Sequence, residues 1–158
     1  MTRHTTQPVT PPDLRSRPWE IRARGEEQAM RFLVWKALLG LLAFDVLGFG
    51  SNFARMHRFV TKWRISPRKA PGDGVGRACK AINYACVWYP KRVLCLQRSA
   101  VTTCLLRSCG VPAEMVVGTQ TLPFKAHAWT EVDGRAINER RNVQKIYSVL
   151  ERCRGEQR

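Results

Sequence analysis

The sequence predicts an α+β fold in which helices come first and an antiparallel hairpin region follows. Apolar residues recur at helical spacing in several segments between residues 26 and 108. Beyond residue 112, apolar and polar residues roughly alternate, and Asp133-Gly134 is a strong signal for the tight turn of a β-hairpin. No internal repeat is visible.

Length and composition fit about one domain with an extension. The chain has 158 residues, of which 44% are apolar, and its 27 Lys and Arg exceed its 12 Asp and Glu by a formal charge of +15. Such a surface attracts nucleic acid, anionic lipid or an acidic protein. The basic residues are spread along the chain without a recognised binding motif, which argues against a nucleic-acid partner.

The N-terminal half divides into two parts. Residues 1–24 are rich in proline and arginine and are predicted to form a disordered basic arm. Residues 25–72 are predicted to form an N-terminal helical region, with an apolar helix from Glu26 and a basic helix capped by Ser51 or Asn52. The longest apolar run of the first helix, 37–44, is far shorter than the ~20 residues of a membrane span. We therefore expect burial in a core or in a partner's groove, and peripheral membrane contact stays open.

Residues 73–158 are predicted to form the compact core. The expected elements are a helix over 75–88 capped by Asp73, a helix over 93–108, strands over 113–119 and 126–132, a short return strand ending near residue 139, and a last helix capped by Asn142. The last helix is predicted from the spacing of four apolar residues at i, i+3, i+4 and i+7, namely Val143, Ile146, Tyr147 and Leu150.

Six cysteines raise the question of their chemistry: Cys79, Cys86, Cys95, Cys104, Cys109 and Cys153. The first residues lack the apolar segment of a signal peptide, which favours reduced thiols in the cytoplasm. No CxxC pair occurs, so the pattern argues against a metal site. Most of these thiols are expected to be small buried hydrophobes.

Cys95 and His127 stand out as a candidate nucleophile and base. Cys95 falls in the first turn of its helix, where unsatisfied N–H groups and partial positive charge stabilise a thiolate. Cys104, by contrast, lies on the core stripe of the same helix. His127 lies in the middle of a strand, and a cysteine at a helix start with a histidine on a strand is a papain-like arrangement.

The third member of such a triad depends on the hairpin register. A two-residue turn at Asp133-Gly134 places Asn138 on the face of His127, whereas a bulged three-residue loop places Glu139 there. Either side chain can orient the imidazole by accepting its N–H.

Four segments, "CLQRS", "CGVPAEMVVG", "HAWTEVDG" and "INE", resemble the lasso-peptide maturation B2 proteins, which are transglutaminase-like cysteine proteases. The resemblance covers about residues 91–139 and implies a papain/transglutaminase-like core. It also implies a leader peptidase that needs no metal or cofactor. Cys95 would then be the nucleophile and His127 the general base and acid. Glu139 would be the third member, at a position where the family carries Asp, with Asn138 as its substitute.

The same resemblance implies partners. They are the precursor peptide with its leader segment, a separate leader-recognition protein, and an asparagine-synthetase-like cyclase that closes the macrolactam. The basic surface and the first helix are candidates for contacts with them. Trp129, Trp88 and Tyr89 are candidates for lining a substrate cleft, although core burial explains them equally well.

Two other classes of function remain compatible with the sequence. The same triad can transfer an acyl group instead of hydrolysing a peptide bond, as transglutaminases do. The chain can also be a non-enzymatic basic adaptor that binds an acidic partner or a membrane surface. Retention of activity after Cys95→Ala would favour the adaptor.

Overall fold

A computed structural model describes residues 18–48, 52–67, 73–139 and 142–155. Within these ranges the elements are α1 (Pro18–Val46), α2 (Phe53–Lys62), α3 (Gly74–Trp88), α4 (Cys95–Ser108), β1 (Ala113–Gln120), β2 (Lys125–Val132), β3 (Arg135–Ile137), α5 (Val143–Ile146) and β4 (Ser148–Cys153). The four strands form one antiparallel sheet in the order β3-β2-β1-β4. This architecture confirms the α+β prediction.

Helices α1, α3 and α4 share the main hydrophobic core. The face that α3 buries consists mostly of small residues, namely Ala78, Ala81 and Ala85 with Ile82. On α1, a Cβ atom added to Gly40 would lie 2.8 Å from Cγ1 of Val101. The small residues therefore let the three helices approach closely. Since α1 belongs to this core, the helical region before residue 73 and the part after it share one interior.

Helix α4 packs on the sheet through small polar side chains. The Ser99 hydroxyl donates to the carbonyl of Ala128 at 2.8 Å, and the hydroxyls of Thr103 and Thr130 are 3.2 Å apart. The other face of the sheet buries Val116, Trp129 and Val143. Helix α4 is thus fixed against β2, which carries His127.

Asn52 and Asp73 cap their helices as predicted, whereas the Asn142 side chain makes no capping hydrogen bond to α5. The Asn52 side chain accepts from the N–H of Arg55 at 2.9 Å, and the Asp73 side chain accepts from the N–H of Gly76 at 2.8 Å. Both caps satisfy backbone donors that the helix itself cannot pair.

The beginning of α1 differs from the prediction. The helix begins at Pro18, so residues 18–24 belong to it and not to the disordered arm that their composition predicts. Proline suits the first helical turn because its missing N–H is not needed there. Residues 1–17 lie outside the described residues.

The predicted last helix is wrong beyond its first turn. Helix α5 ends at Ile146, and strand β4 then pairs antiparallel with β1. Val143 is buried but Ile146 and Leu150 are exposed, so the predicted stripe does not form one buried helical face. Pairing with β1 satisfies backbone groups of both strands, and this long-range contact outweighs the local pattern.

Candidate active site

Cys95 is the first residue of α4, and its sulfur lies at the open end of the helix. The preceding Leu94 is extended, with no side-chain hydrogen bond capping the helix. Backbone N–H groups of Leu96 and Ala128 instead lie within hydrogen-bonding reach of the thiol. The helix start therefore presents donors and partial positive charge to the sulfur, which both favour a thiolate.

His127 lies on β2, next to the region where β2 leaves its partner β3. Strand β3 pairs with β2 only from Thr130 to Val132. At Ala128 the backbone is bonded by α4 instead, through Ser99 and the Cys95 thiol. The local end of strand pairing therefore lets the start of α4 approach β2 and brings Cys95 to His127.

The three predicted catalytic side chains meet at this point. The Cys95 thiol is hydrogen-bonded to the His127 imidazole. A carboxylate oxygen of Glu139 lies 3.5 Å from Nε2 of His127. The 3.5 Å separation is longer than a normal N–H···O hydrogen bond, so the contact is a weak hydrogen bond supported by charge. Such contacts often tighten when substrate binds.

The electrostatics of the pair favour a thiolate and an imidazolium. The hydrogen bond with His127 is the largest cause that lowers the pKa of Cys95 from its usual value of 9.0, ahead of the opposing effect of burial. Hydrogen bonds with Cys95 and then with Glu139 raise the pKa of His127 to about 9. Because each group stabilises the charged form of the other, the two titrate as a coupled pair.

The other five thiols, all within the described residues, behave in the opposite way. Burial raises the pKa of each one, to about 12 for Cys104 and about 11 for Cys153, and upward for Cys79, Cys86 and Cys109. Cys95 is also the exposed cysteine of the six. It therefore combines accessibility with a stabilised anion, as a nucleophile requires.

The register places Asn138 differently from the prediction. The turn has two residues, with Val132 opposite Arg135 and positive φ at Asp133 and Gly134. That register was expected to bring Asn138 to His127. However, β3 ends at Ile137 and Asn138 has a φ of 57°, so the strand alternation stops before it can act. Glu139 therefore reaches His127 even though the hairpin turn has two residues, the case in which Asn138 was expected there.

Asn138 is held by a contact with the helices. Its side-chain amide exchanges two hydrogen bonds of 3.1 Å with that of Asn83 on α3. Arg98 on α4 donates to Asn83 at 2.8 Å and to the backbone carbonyl of Asn138 at 3.4 Å. Asn138 thus fixes the backbone immediately before Glu139.

Two aromatic rings support the imidazole. The Trp129 ring stacks with His127 at a centroid distance of 6.2 Å, and Tyr147 packs on it at 5.3 Å. Gly118, opposite His127 on β1, makes room for this packing because a Cβ there would lie 2.8 Å from the Trp129 ring. The rings restrict how the imidazole can rotate.

Glu131 was not among the site residues predicted from the sequence. Its carboxylate is buried and accepts from Nε1 of Trp129 and the amide of Gln144, each at 2.8 Å, and from Arg152 at 2.6 Å. Burial is the largest single effect on the pKa of Glu131 and raises it. The three hydrogen bonds together outweigh burial, so the pKa lies below its usual value. Glu131 follows Trp129 by two residues on β2, so the two side chains lie on the same face of the sheet, and this spacing was the signal in the sequence that Glu131 is buried. Gln144 and Arg152 come from α5 and β4, where the prediction had one helix.

A pocket of about 60 Å³ opens at the triad, lined by Cys95, Arg98, Ser99, Thr102, His127, Thr130, Ile137, Asn138 and Glu139. The three aromatic residues predicted for a substrate cleft are outside it. Trp129 is fully buried behind the imidazole, so it cannot face a substrate here. The Tyr89 hydroxyl donates to Asp45 at 2.7 Å, and Trp88 is exposed at the end of α3.

In the described part of the chain, no group of three His, Cys, Asp or Glu side chains is arranged to hold a metal ion. Nor is any helix in those ranges long and apolar enough to cross a membrane.

Comparisons with known proteins agree with this geometry. The family model described as the transglutaminase-like superfamily matches residues 39–152. The Microcin J25-processing protein McjB of Escherichia coli is 38% identical over 56 residues, which are 35% of this chain and 27% of that protein. The chain therefore matches about a quarter of its curated relative's length. No solved structure matches significantly. Both similarities support the resemblance to lasso-peptide maturation B2 proteins, and the extent of the family match establishes that this chain belongs to the transglutaminase-like superfamily.

Proposed function

We propose that this chain is a cysteine peptidase that removes the leader from a lasso-peptide precursor before a separate cyclase closes the macrolactam. The observation that carries the proposal is the contrast among the six thiols. Only Cys95 combines exposure, a helix N-terminus and a hydrogen bond to a histidine that a carboxylate supports. The similarity to a protein named for microcin processing supports the substrate class.

The first step of the proposed mechanism is attack of the Cys95 thiolate on the scissile carbonyl. A C–S bond forms, and the carbonyl π electrons move to oxygen. Backbone N–H groups at the start of α4 are near enough to stabilise this oxyanion. The imidazolium of His127 then gives its proton to the departing amine as the peptide C–N bond breaks, leaving a thioester.

The second step returns the enzyme to its starting state. His127, now neutral, takes a proton from water, and the hydroxide attacks the thioester. The carboxylate product leaves, and the sulfur departs as a thiolate beside the reformed imidazolium. Glu139 stabilises the positive charge of the imidazolium in both steps. No step needs a metal or a nucleotide.

In this proposal the chain works with other proteins. A separate leader-recognition protein presents the precursor, and an asparagine-synthetase-like cyclase uses the released core peptide. The precursor is therefore the direct substrate, and its leader is the segment released.

Mass spectrometry of a candidate precursor, incubated with the recognition partner and each enzyme variant, tests the proposal. We expect leader release by the wild type and by Cys104→Ala, and none by Cys95→Ala. Cys104 is the matched control because it lies on the same helix with a pKa of about 12. Cleavage that persists in Cys95→Ala would contradict the proposal.

The products also separate hydrolysis from acyl transfer. A free carboxylate at the new C-terminus of the leader means that water accepted the acyl group. A leader joined to an added amine would instead support the transglutaminase-like acyltransferase. Hydrolysis is the expected outcome.

A further inference from the structure

Helix α1 carries a regular apolar stripe that faces away from the core. Five large residues follow one another at alternating spacings of three and four: Phe32, Trp35, Leu39, Leu42 and Val46. Each is more than half exposed, while Leu33, Ala37 and Leu41 of the same helix are buried. A three-four spacing of this kind is the seam by which one helix packs along another. We call these five residues the α1 stripe.

An apolar groove adjoins the α1 stripe. It has a volume of about 400 Å³ and lies between α1, α2 and α4. Leu39 belongs to both the stripe and the groove, and the exposed rings of Phe59 and Trp63 form the α2 side. Stripe and groove are therefore one continuous apolar surface. A contiguous exposed apolar surface of this kind is typical of an interaction site.

The charged groups around this surface are basic. Arg31 and Lys36 flank the stripe on α1, and Lys36 also lines the groove. Residues 52–67, which include α2, contain four Lys and Arg and no Asp or Glu. Asp45 is the acidic residue near this end of α1, and its carboxylate contacts Tyr89, Lys91 and Gln97. An occupant therefore needs apolar side chains flanked by acidic ones.

We propose that the α1 stripe and the adjoining groove dock an amphipathic helix with acidic flanks, contributed by another protein or peptide. The seam spacing specifies a helix, and the basic rim specifies its charge. A second copy of the chain fits less well, because each copy carries a formal charge of +15. Residues 1–17 also fit less well, with three Arg, one Asp and three Pro. A flat lipid surface cannot fill a concave groove.

The location of this surface gives the docking a consequence. Residues Ala100, Val101 and Leu105 of α4 line the groove, whereas Arg98 and Ser99 line the pocket at Cys95. One helix, about 10 Å wide, therefore separates the docked partner from the active-site pocket. The proposal does not depend on Cys95 being a nucleophile, so the two can be tested separately.

The test measures binding of a labelled synthetic peptide of about four heptads, with Leu at the seam positions and Glu at the flanking positions, by fluorescence anisotropy. We expect Leu39→Glu and Val46→Glu to weaken binding at least about tenfold, equal to 1.4 kcal/mol. Val87→Glu is the matched control, because Val87 is an exposed valine on α3 and the substitution changes charge equally. Val87→Glu and Cys95→Ala should bind like the wild type. Circular dichroism verifies that every variant folds.

Four outcomes would overturn the proposal. A peptide with Lys in place of Glu that binds equally well would remove the role of charge. Sedimentation that shows wild-type dimers, lost in Val46→Glu, would assign the surface to a second copy. Binding to phosphatidylglycerol vesicles but not to the acidic peptide would assign it to lipid. Absence of measurable binding of the acidic peptide to the wild type would likewise refute it.

Discussion

At the scale of single residues, the environment of a thiol separates Cys95 from five residues of the same type. Cys104 lies on the same helix, yet burial raises its pKa to about 12. Cys95 is also partly buried, which by itself raises its pKa, but the hydrogen bond with His127 and the N–H groups around the sulfur lower the pKa by more. The difference is the position of each residue along α4, since only the first turn presents unpaired donors.

Alkylation should report this difference directly. We expect iodoacetamide at neutral pH to modify Cys95 first, and His127→Ala to slow that modification about tenfold, because each lost pKa unit of stabilisation reduces the thiolate fraction by that factor. Peptide mapping by mass spectrometry identifies the modified residue. Preferential alkylation of Cys109 or Cys79 in the folded protein would contradict the assignment.

Two neighbours determine the protonation range of His127. Hydrogen bonds with Cys95 and then with Glu139 raise its pKa to about 9, so the imidazolium persists up to about pH 9 and is lost above it. Glu139→Gln removes the charge that stabilises the imidazolium, so the pKa should fall and the alkaline limb of activity should move to lower pH. An NMR titration of the imidazole measures this shift, with His57 in the same spectrum as the control. A His127 pKa unchanged by the substitution would show that Glu139 does not support it.

At the scale of elements, the end of β3 decides which side chain reaches the imidazole. Asn138 has a left-handed backbone and is held by Asn83 and Arg98, which belong to two different helices. The turn of the backbone at this position delivers Glu139 to His127. Side chains alternate between the two faces of a sheet only within a strand. Strand β3 ends one residue before Asn138, so the alternation does not determine where that side chain points.

Substitutions at Asn138 separate backbone from side chain. Asn138→Gly keeps a backbone that tolerates positive φ, whereas Asn138→Ala should add roughly 1–2 kcal/mol of left-handed strain. We therefore expect lower stability in urea and slower Cys95 alkylation for Asn138→Ala than for Asn138→Gly. Asn83→Ala is the companion variant, because it removes the amide pair and leaves residue 138 unchanged. Equal behaviour of the Gly and Ala variants would show that the backbone turn does not position Glu139.

At the scale of the whole molecule, Arg107 joins elements from three parts of the chain. Its buried guanidinium donates to the carbonyl of Ala113 at 2.8 Å, to that of Cys153 at 2.7 Å, and to those of Val60 and Trp63. It thereby connects the end of α4 to the end of α2, the start of β1 and the end of β4. One side chain therefore donates hydrogen bonds to backbone carbonyls from three separate parts of the chain.

Loss of this connection should be costly. Arg107→Lys supplies fewer donors in a different geometry, and we expect a loss of about 2–4 kcal/mol in the free energy of unfolding. Urea denaturation measures it, and Arg58→Lys on the exposed side of α2 is the matched control, expected to change little. A stability of Arg107→Lys within error of that control would contradict a structural role for the guanidinium.

The sequence by itself determined the features that depend on neighbours along the chain. Helical spacing gave α3 and α4, Asp133-Gly134 gave the hairpin turn, and the place of Cys95 at a helix start identified the nucleophile candidate. Each of these is a local pattern, because turn chemistry and helix ends act over a few residues.

The tertiary structure decided what depends on distant residues. Asn138 meets Asn83 across 55 positions of sequence, and this contact helps to place Glu139 at His127. Strand β4 exists because β1 offers it backbone partners, and Glu131 is buried because Arg152 and Gln144 satisfy its charge. Such contacts form only when the chain folds back on itself, and their energy then exceeds the local preferences that the sequence displays.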